Sequence, residues 1–155
     1  MNLNKIAYKQ AMEKAAALCS RKECCKSDVK TSLARWGANP DDMEKIIEEL
    51  GKGKYIDEAR YAGAFVNDKF KFNQWGKEKI KFQLRGKNIP EKLIQEQLYQ
   101  IDQEKYESVL RNLLIKKQKK TFFSNGYEKI GKLIQFAQSR GFEYELAKRI
   151  VEEMD

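Results

Sequence analysis

The side chains best equipped for chemistry in this sequence are amines and guanidinium groups, and what they offer is neutralisation of anions. Between residues 69 and 89, Lys69, Lys71, Lys77, Lys79, Lys81, Arg85 and Lys87 face a single acid, Glu78, a surplus of six charges. Arg111, Lys116, Lys117, Lys119 and Lys120 add five more over 111–120 with no acid among them. The whole 155-residue chain carries only +8, so the rest is slightly acidic; residues 41–50 set Asp41, Asp42, Glu44, Glu48 and Glu49 against Lys45. Charge concentrated in this way suits a polyanion, nucleic acid or a nucleoprotein above all. Each lysine that neutralised a phosphate would release counterions and make binding salt-dependent. The plainer alternative is a solvated, merely soluble face.

Covalent and metal chemistry have little to draw on. Histidine, the commonest general base and metal ligand, is absent. There is no P-loop, no GxSxG and no glycine-rich phosphate cradle. Asp57 and Glu58 are adjacent, and adjacent helix positions point to different faces, so helix capping explains them better than a metal pair. Cys19, Cys24 and Cys25 form an odd, clustered set with no CxxC pair, which suits neither zinc nor a disulfide framework. They read as structural thiols in a reducing cytosol. No apolar run could span a bilayer, and the N-terminus "MNLNKIAYKQAMEKAAALC" carries charges inside its apolar pattern. A cytoplasmic, non-enzymatic protein without cofactor or metal is expected.

The basic residues need elements to hold them, and those elements repeat. "LNKIAY" at Leu3, "IDEARY" at Ile56 and "IDQEKY" at Ile101 each open with an aliphatic residue, then Asn or Asp, and close on Tyr. Asn4, Asp57 and Asp102 suit N-caps, with the aliphatic residue before each acting as a staple. The starts lie 53 and 45 residues apart, the period of a repeat array. Apolar positions then recur: Ile80, Leu84, Ile89, Leu93 and Leu98 in the second unit, and Leu133, Ala137, Phe142, Leu146 and Val151 in the third. The first runs Val29, Leu33, Met43, Ile47 and Leu50, with one extra turn residue. Gly37, Gly86 and Gly141 read as left-handed residues closing helices, and Pro40 and Pro90 fit the first turn of the next.

Nine helices follow, at about 3–19, 25–36, 41–51, 57–71, 76–86, 90–100, 102–119, 126–140 and 143–154. The expected fold is all-α: three tandem three-helix repeats (1–53, 54–100 and 101–155) stacked into an elongated, curved body. A single nine-helix bundle is the competing architecture. Tyr8, Tyr61 and Tyr106 would hold the repeats internally. Lys77, Lys81 and Arg85 form one stripe and Ile80 and Leu84 the other, an amphipathic helix with a basic outer face. Phe70, Phe72, Trp75 and Phe82 read as core, with base stacking as the alternative. Phe122 and Phe123, in "TFFSNGY", are expected to be buried.

Three stretches resemble the RecX family of RecA regulators. "YIDEARYAGAFV" (55–66) is similar to its Tyr-Ile-Asp-Asp-x-Arg-Tyr/Phe-Ala signature. "WGKEKIKFQLRGKNIP" (75–90) is similar to its Gly-x-x-x-Ile-x-x-x-Leu-x-x-Lys-Gly-Ile motif, and "KLIQFAQSRGFEYELAKRIVEEM" (132–154) to its closing Leu-x-x-Arg-Gly-Phe unit. The likeness spans nearly the whole chain, most specifically its middle third. It departs from the family at Cys25, where serine is usual, at Glu58, and at Arg85-Gly86-Lys87-Asn88.

The resemblance implies three three-helix repeats and a protein that lies along the RecA–DNA filament and restrains strand exchange, ATPase and co-protease activity. The residues expected to meet DNA phosphate or acidic recombinase surface are Lys69, Lys71, Lys77, Lys81, Arg85, Lys87, Arg111, Lys116, Lys117, Lys119 and Lys120. Binding to single- and double-stranded DNA should be weak and salt-dependent, the protein a monomer, with no membrane partner. The rival reading is a helix-turn-helix transcriptional regulator. It would need base-reading side chains at the start of helix 90–100, which opens instead with Pro90, Glu91 and Lys92.

Overall fold

A computed structural model describes residues 6–154, and every regular element among them is helical. In chain order these are α1 (Tyr8–Arg21), α2 (Lys26–Arg35), α3 (Pro40–Lys52), α4 (Glu58–Lys71), α5 (Lys77–Gly86), α6 (Glu91–Tyr99), α7 (Gln103–Lys120), α8 (Gly126–Ser139) and α9 (Tyr144–Glu153). The fold is all-α.

Local chemistry sets most of the helix starts. The Asp57 carboxylate accepts from the Arg60 N–H and the Asp102 carboxylate from the Lys105 N–H, each at 3.0 Å. Both satisfy amide groups that have no partner within the helix. Asn39 caps α3 by accepting from the Asp41 N–H at 2.9 Å, and Pro40 is the first residue of that helix. At α2, Cys25 occupies the cap and the Asp28 carboxylate reaches back to its N–H at 3.5 Å. Pro90 stands just before α6 rather than inside it.

The first helix begins later than its pattern suggests. It starts at Tyr8, with Ala7 extended before it and no side-chain cap. Leu3 and the expected cap Asn4 lie outside the described residues. Tyr8 itself is 38% exposed, so it does not play the internal role of Tyr61 and Tyr106, which are buried.

The turns also correct one glycine. Gly37 (φ 84°) and Gly141 (φ 96°) are left-handed and close α2 and α8 by the same paired hydrogen bonds. Ala38 N–H bonds Leu33 C=O and Gly37 N–H bonds Ala34 C=O, and Phe142 and Gly141 repeat this onto Ala137 and Gln138. Gly86 does not follow them. It remains the last residue of α5, and Asn88 (φ 61°) takes the left-handed position, its N–H bonded to Arg85 C=O at 3.0 Å. Asparagine tolerates that region better than most residues. A Cβ added at Gly86 meets nothing within 4 Å. Gly86→Ala should therefore raise stability by about 0.5–1 kcal/mol, because alanine restricts the unfolded chain without strain. A lower urea midpoint for this variant would show that the turn is drawn wrongly.

The chain divides into two units. The first comprises the described residues through Ala64 together with Arg85–Leu93. Its core joins Ala11 and Ala15 of α1, Val29 and Leu33 of α2, and Ile46 and Leu50 of α3, with Cys24 and Ile56 alongside. The second comprises Phe65–Leu84 and residues from Ile94 onward. Its core joins Tyr106, Leu110 and Leu114 of α7, Leu133, Ile134 and Ala137 of α8, and Ala147, Ile150 and Val151 of α9, around Phe142. The i, i+4, i+8 spacing on α7 places its buried residues on one stripe. The opposite stripe is thereby left to solvent.

Candidate nucleoprotein interface

Within the second unit, α5 begins by docking onto the turn between α8 and α9. Gly76 N–H donates to Arg140 C=O at 2.8 Å and Glu78 N–H to Gly141 C=O at 2.9 Å. Between them, Lys77 N–H donates to the Tyr106 hydroxyl at 2.8 Å, and that hydroxyl in turn donates to the Glu143 carboxylate. Three of the amides that a helix N-terminus leaves unpaired are thus satisfied by residues distant in sequence. Burial, the Glu143 hydrogen bond and nearby acids push the Tyr106 phenol upward, so it stays protonated as a donor. This junction fixes the direction of α5 and of the cations it carries.

Those cations are not all equally available. Lys77 Nζ lies 4.7 Å over the Tyr106 ring, and Trp75 is flanked by Lys69 at 5.0 Å and Lys79 at 4.6 Å. Such stacking holds ammonium groups against aromatic faces. Lys71 stacks on Phe72 at 5.5 Å and Lys117 on Phe136 at 5.2 Å. Lys81 pairs with Glu78 at 3.4 Å, and its side chain is only 21% exposed. The stripe of Lys77 and Lys81 therefore runs along the flank of α5. Phe82, 74% exposed, occupies the middle of its outward face, and Phe72 is exposed as well. Neither ring joins the core, contrary to the expectation from spacing. Trp75 and Phe70 are partly buried; Phe70 lies 5.8 Å from the Tyr106 ring.

In the first unit, Arg85 grips both Glu91 carboxylate oxygens, at 2.6 and 3.0 Å. Lys87 Nζ bonds the Asp28 carboxylate at 2.6 Å. Burial alone would raise the Asp28 carboxyl, but the Lys87 hydrogen bond and charge outweigh it and hold it below its ordinary value of 3.8. A depressed carboxyl stabilises the folded state above its unfolded value, and that contribution is lost as pH falls below it. With Lys87 partly exposed, the pair is worth about 0.5–1 kcal/mol. Lys87→Met should lose that amount at neutral pH and converge with the parent once the pH falls below the depressed Asp28 value. Urea titrations at the two pH values check this; a difference that persists in acid would rule out the ion pair as its source.

Residues 111–120 are arranged differently. Arg111 pairs with Glu153 at 2.7 Å. Lys116, Lys119 and Lys120 are exposed, and none has an ion pair among the described residues. Lys105 and Asn112 fall on the same side of α7 as Lys116 and Lys119, spaced i, i+7, i+11 and i+14. This face lies opposite the buried Tyr106–Leu110–Leu114 stripe and holds no acid. Lys105 stands alone in sequence, outside both charge runs; only the helical spacing adds it to this face.

The thiols form no reactive centre. Burial first, and then the neighbouring thiol and acid, push Cys19 up to about 12, and burial raises Cys24 and Cys25 too. Thiols so placed are protonated and weakly nucleophilic at neutral pH. Among the described residues no group of three or more Cys, Asp or Glu side chains could hold a metal ion, and no helix is long and apolar enough to cross a membrane.

Two family models match the chain: the second three-helix domain of RecX over residues 57–98 and the third over 104–151. The chain is 30% identical over 155 residues to the regulatory protein RecX of Clostridium botulinum strain Alaska E43, covering 97% of this chain and 71% of that one. It is 29% identical over 153 residues to the same-named protein of strain Eklund 17B, with the same coverage. Two crystal structures share the fold. One, of a regulatory protein RecX, has a TM-score of 0.86 at 21% identity and covers 94% of this chain and 71% of that chain. The other, of RecX from Lactobacillus salivarius, has a TM-score of 0.84 at 20% identity and covers 94% and 95%.

Proposed function

The chain belongs to the RecX family of regulatory proteins, and we propose that it binds the RecA–DNA nucleoprotein filament and restrains recombinase activity without catalysis of its own. The observation that carries this reading is the acid-free outer face of α7, where Lys116, Lys119 and Lys120 stand exposed and without ion partners among the described residues. Cations already held by Glu91, Asp28 or Glu153 would have to give up a partner before meeting a phosphate; these three would not. A regular lattice of phosphate and acidic protein surface is the partner that such a face suits. Bound there, the protein acts as an obstacle to incoming duplex and to filament rearrangement, as a monomer in the cytoplasm.

The transcription-regulator alternative draws no support from α6. Its first residue, Glu91, is acidic and clamped by Arg85, which leaves no donor fork for a base edge. The test of the filament reading is a titration of the chain into the cognate recombinase during strand exchange and ATP hydrolysis, at two salt concentrations. Inhibition at substoichiometric chain that weakens with salt is expected; full activity at saturating chain would refute the reading.

A further inference from the structure

The turn between α7 and α8 follows directly on the exposed Lys116, Lys119 and Lys120, and it exposes aromatic rings. Phe122 is 89% exposed and Tyr127 is 91% exposed. Phe123, next to Phe122, packs against the core of the second unit. The chain enters the turn extended at Thr121 (φ −122°, ψ 136°). Of the two adjacent rings, Phe123 is anchored inward and Phe122 faces solvent.

The turn is also fixed in shape. Asn125 accepts from the Glu128 N–H at 2.8 Å, and Glu128 accepts from the Ser124 N–H at 2.7 Å. Lys132 holds the same carboxylate at 2.6 Å. Hydrogen bonds from Lys132 and then Ser124 pull the Glu128 carboxyl down to about 2, so this clamp is in place at neutral pH. Phe122 and Tyr127 are five residues apart and hence within about 17 Å of each other. A turn backbone already held in shape loses little freedom on meeting a ligand.

We propose that this turn is a base-stacking site for single-stranded nucleic acid: Phe122 and Tyr127 receive the faces of unpaired bases, and Lys116, Lys119 and Lys120 neutralise the phosphates beside them. Two chemistries meet here, and one ligand class satisfies both. A duplex offers phosphates, but its base faces are already stacked on one another. A protein surface offers apolar pockets but rarely the run of negative charge that three exposed lysines match. An unpaired strand offers a flat π face and a negative charge at every nucleotide, and aromatic rings beside a cationic groove are the usual means of holding it. The inference deepens the filament reading by naming the strand as the ligand of this turn.

The test is fluorescence anisotropy with labelled oligothymidylate and an abasic strand of equal length. The parent should prefer the base-bearing strand by at least about tenfold, because stacking contributes at each ring. F122A/Y127A should erase that preference and leave the salt slope and the melting temperature unchanged. Phe122→Trp should retain it. Lys116, Lys119 and Lys120 changed together to Glu should instead weaken both strands and flatten the salt slope. Equal affinity for the two strands, or no effect of F122A/Y127A, overturns the proposal. If F122A/Y127A keeps its strand affinity but no longer inhibits recombinase ATPase, the rings meet protein, and the strand site is refuted while the filament reading stands.

Discussion

Gly76→Ala is expected to lower the unfolding midpoint by on the order of 10 °C. A Cβ at Gly76 would sit 2.3 Å from the carbonyl carbon and oxygen of Gly141 and 2.4 Å from the nitrogen of Phe142. All three are backbone atoms, so no side chain can rotate away to make room. The α8–α9 turn would have to separate from the start of α5. That would break the Gly76–Arg140 and Glu78–Gly141 hydrogen bonds and the Lys77–Tyr106 bond between them. Buried donors left without partners cost about 1–3 kcal/mol each, in addition to the overpacking. The approach is reciprocal: Gly141 is left-handed, and a Cβ there would meet Lys79 Cβ at 2.3 Å. Thermal unfolding followed by circular dichroism decides the matter. A midpoint within about 2 °C of the parent would mean that the two backbones do not touch.

Changing Lys116, Lys119 and Lys120 together to Glu should weaken recombinase inhibition by on the order of a hundredfold at moderate salt. It should also reduce the salt slope by about two to three, roughly one for each phosphate left without its cation. Helicity should be unchanged, because the three side chains lie on the exposed face of α7 and make no ion pair among the described residues. The comparison that gives this result meaning is Arg85→Glu with Lys87→Glu. Those changes break the bonds to Glu91 and Asp28, so they should lower stability more than they lower inhibition. The half-inhibitory concentration in an ATPase assay, together with the melting temperature of each variant, separates the two effects. Unchanged inhibition by the α7 variant would remove this face from the interface.

Much of this architecture is written in short-range patterns. Asp57 and Asp102 cap helices because an Asp before an apolar-periodic run has few other uses, and the boundaries of α2 to α9 fall within two residues of where periodicity and caps put them. The turn after Gly86 is legible too. Aligning Ile89 with Phe142, as their apolar offsets require, sets Asn88 opposite Gly141, and Asn88 is the left-handed residue. Glycine identity alone points to the wrong position, because asparagine can take the same backbone conformation.

Other features are not legible, for physical reasons. A lysine stripe at i, i+4, i+8 fixes which residues share a side of α5, but not whether a neighbouring ring covers it. Tyr106, 29 positions from Lys77, does so. The Gly76–Gly141 contact joins residues 65 apart with no side chain to signal it. In the "FF" pair a single ring can face inward, and nothing local says which. Phe123 does, and Phe122, expected inside, stands in solvent.

Recognition of a recombinase-coated strand is measured most directly as the affinity of the chain for an immobilised single strand, bare and then saturated with cognate recombinase, by interferometry across a salt series. Markedly tighter binding to the coated strand is expected, falling linearly with the logarithm of affinity against the logarithm of salt and largely abolished in the Lys116/Lys119/Lys120→Glu variant. Equal binding to coated and bare strand, with no dependence on those three lysines, would contradict filament recognition by this face.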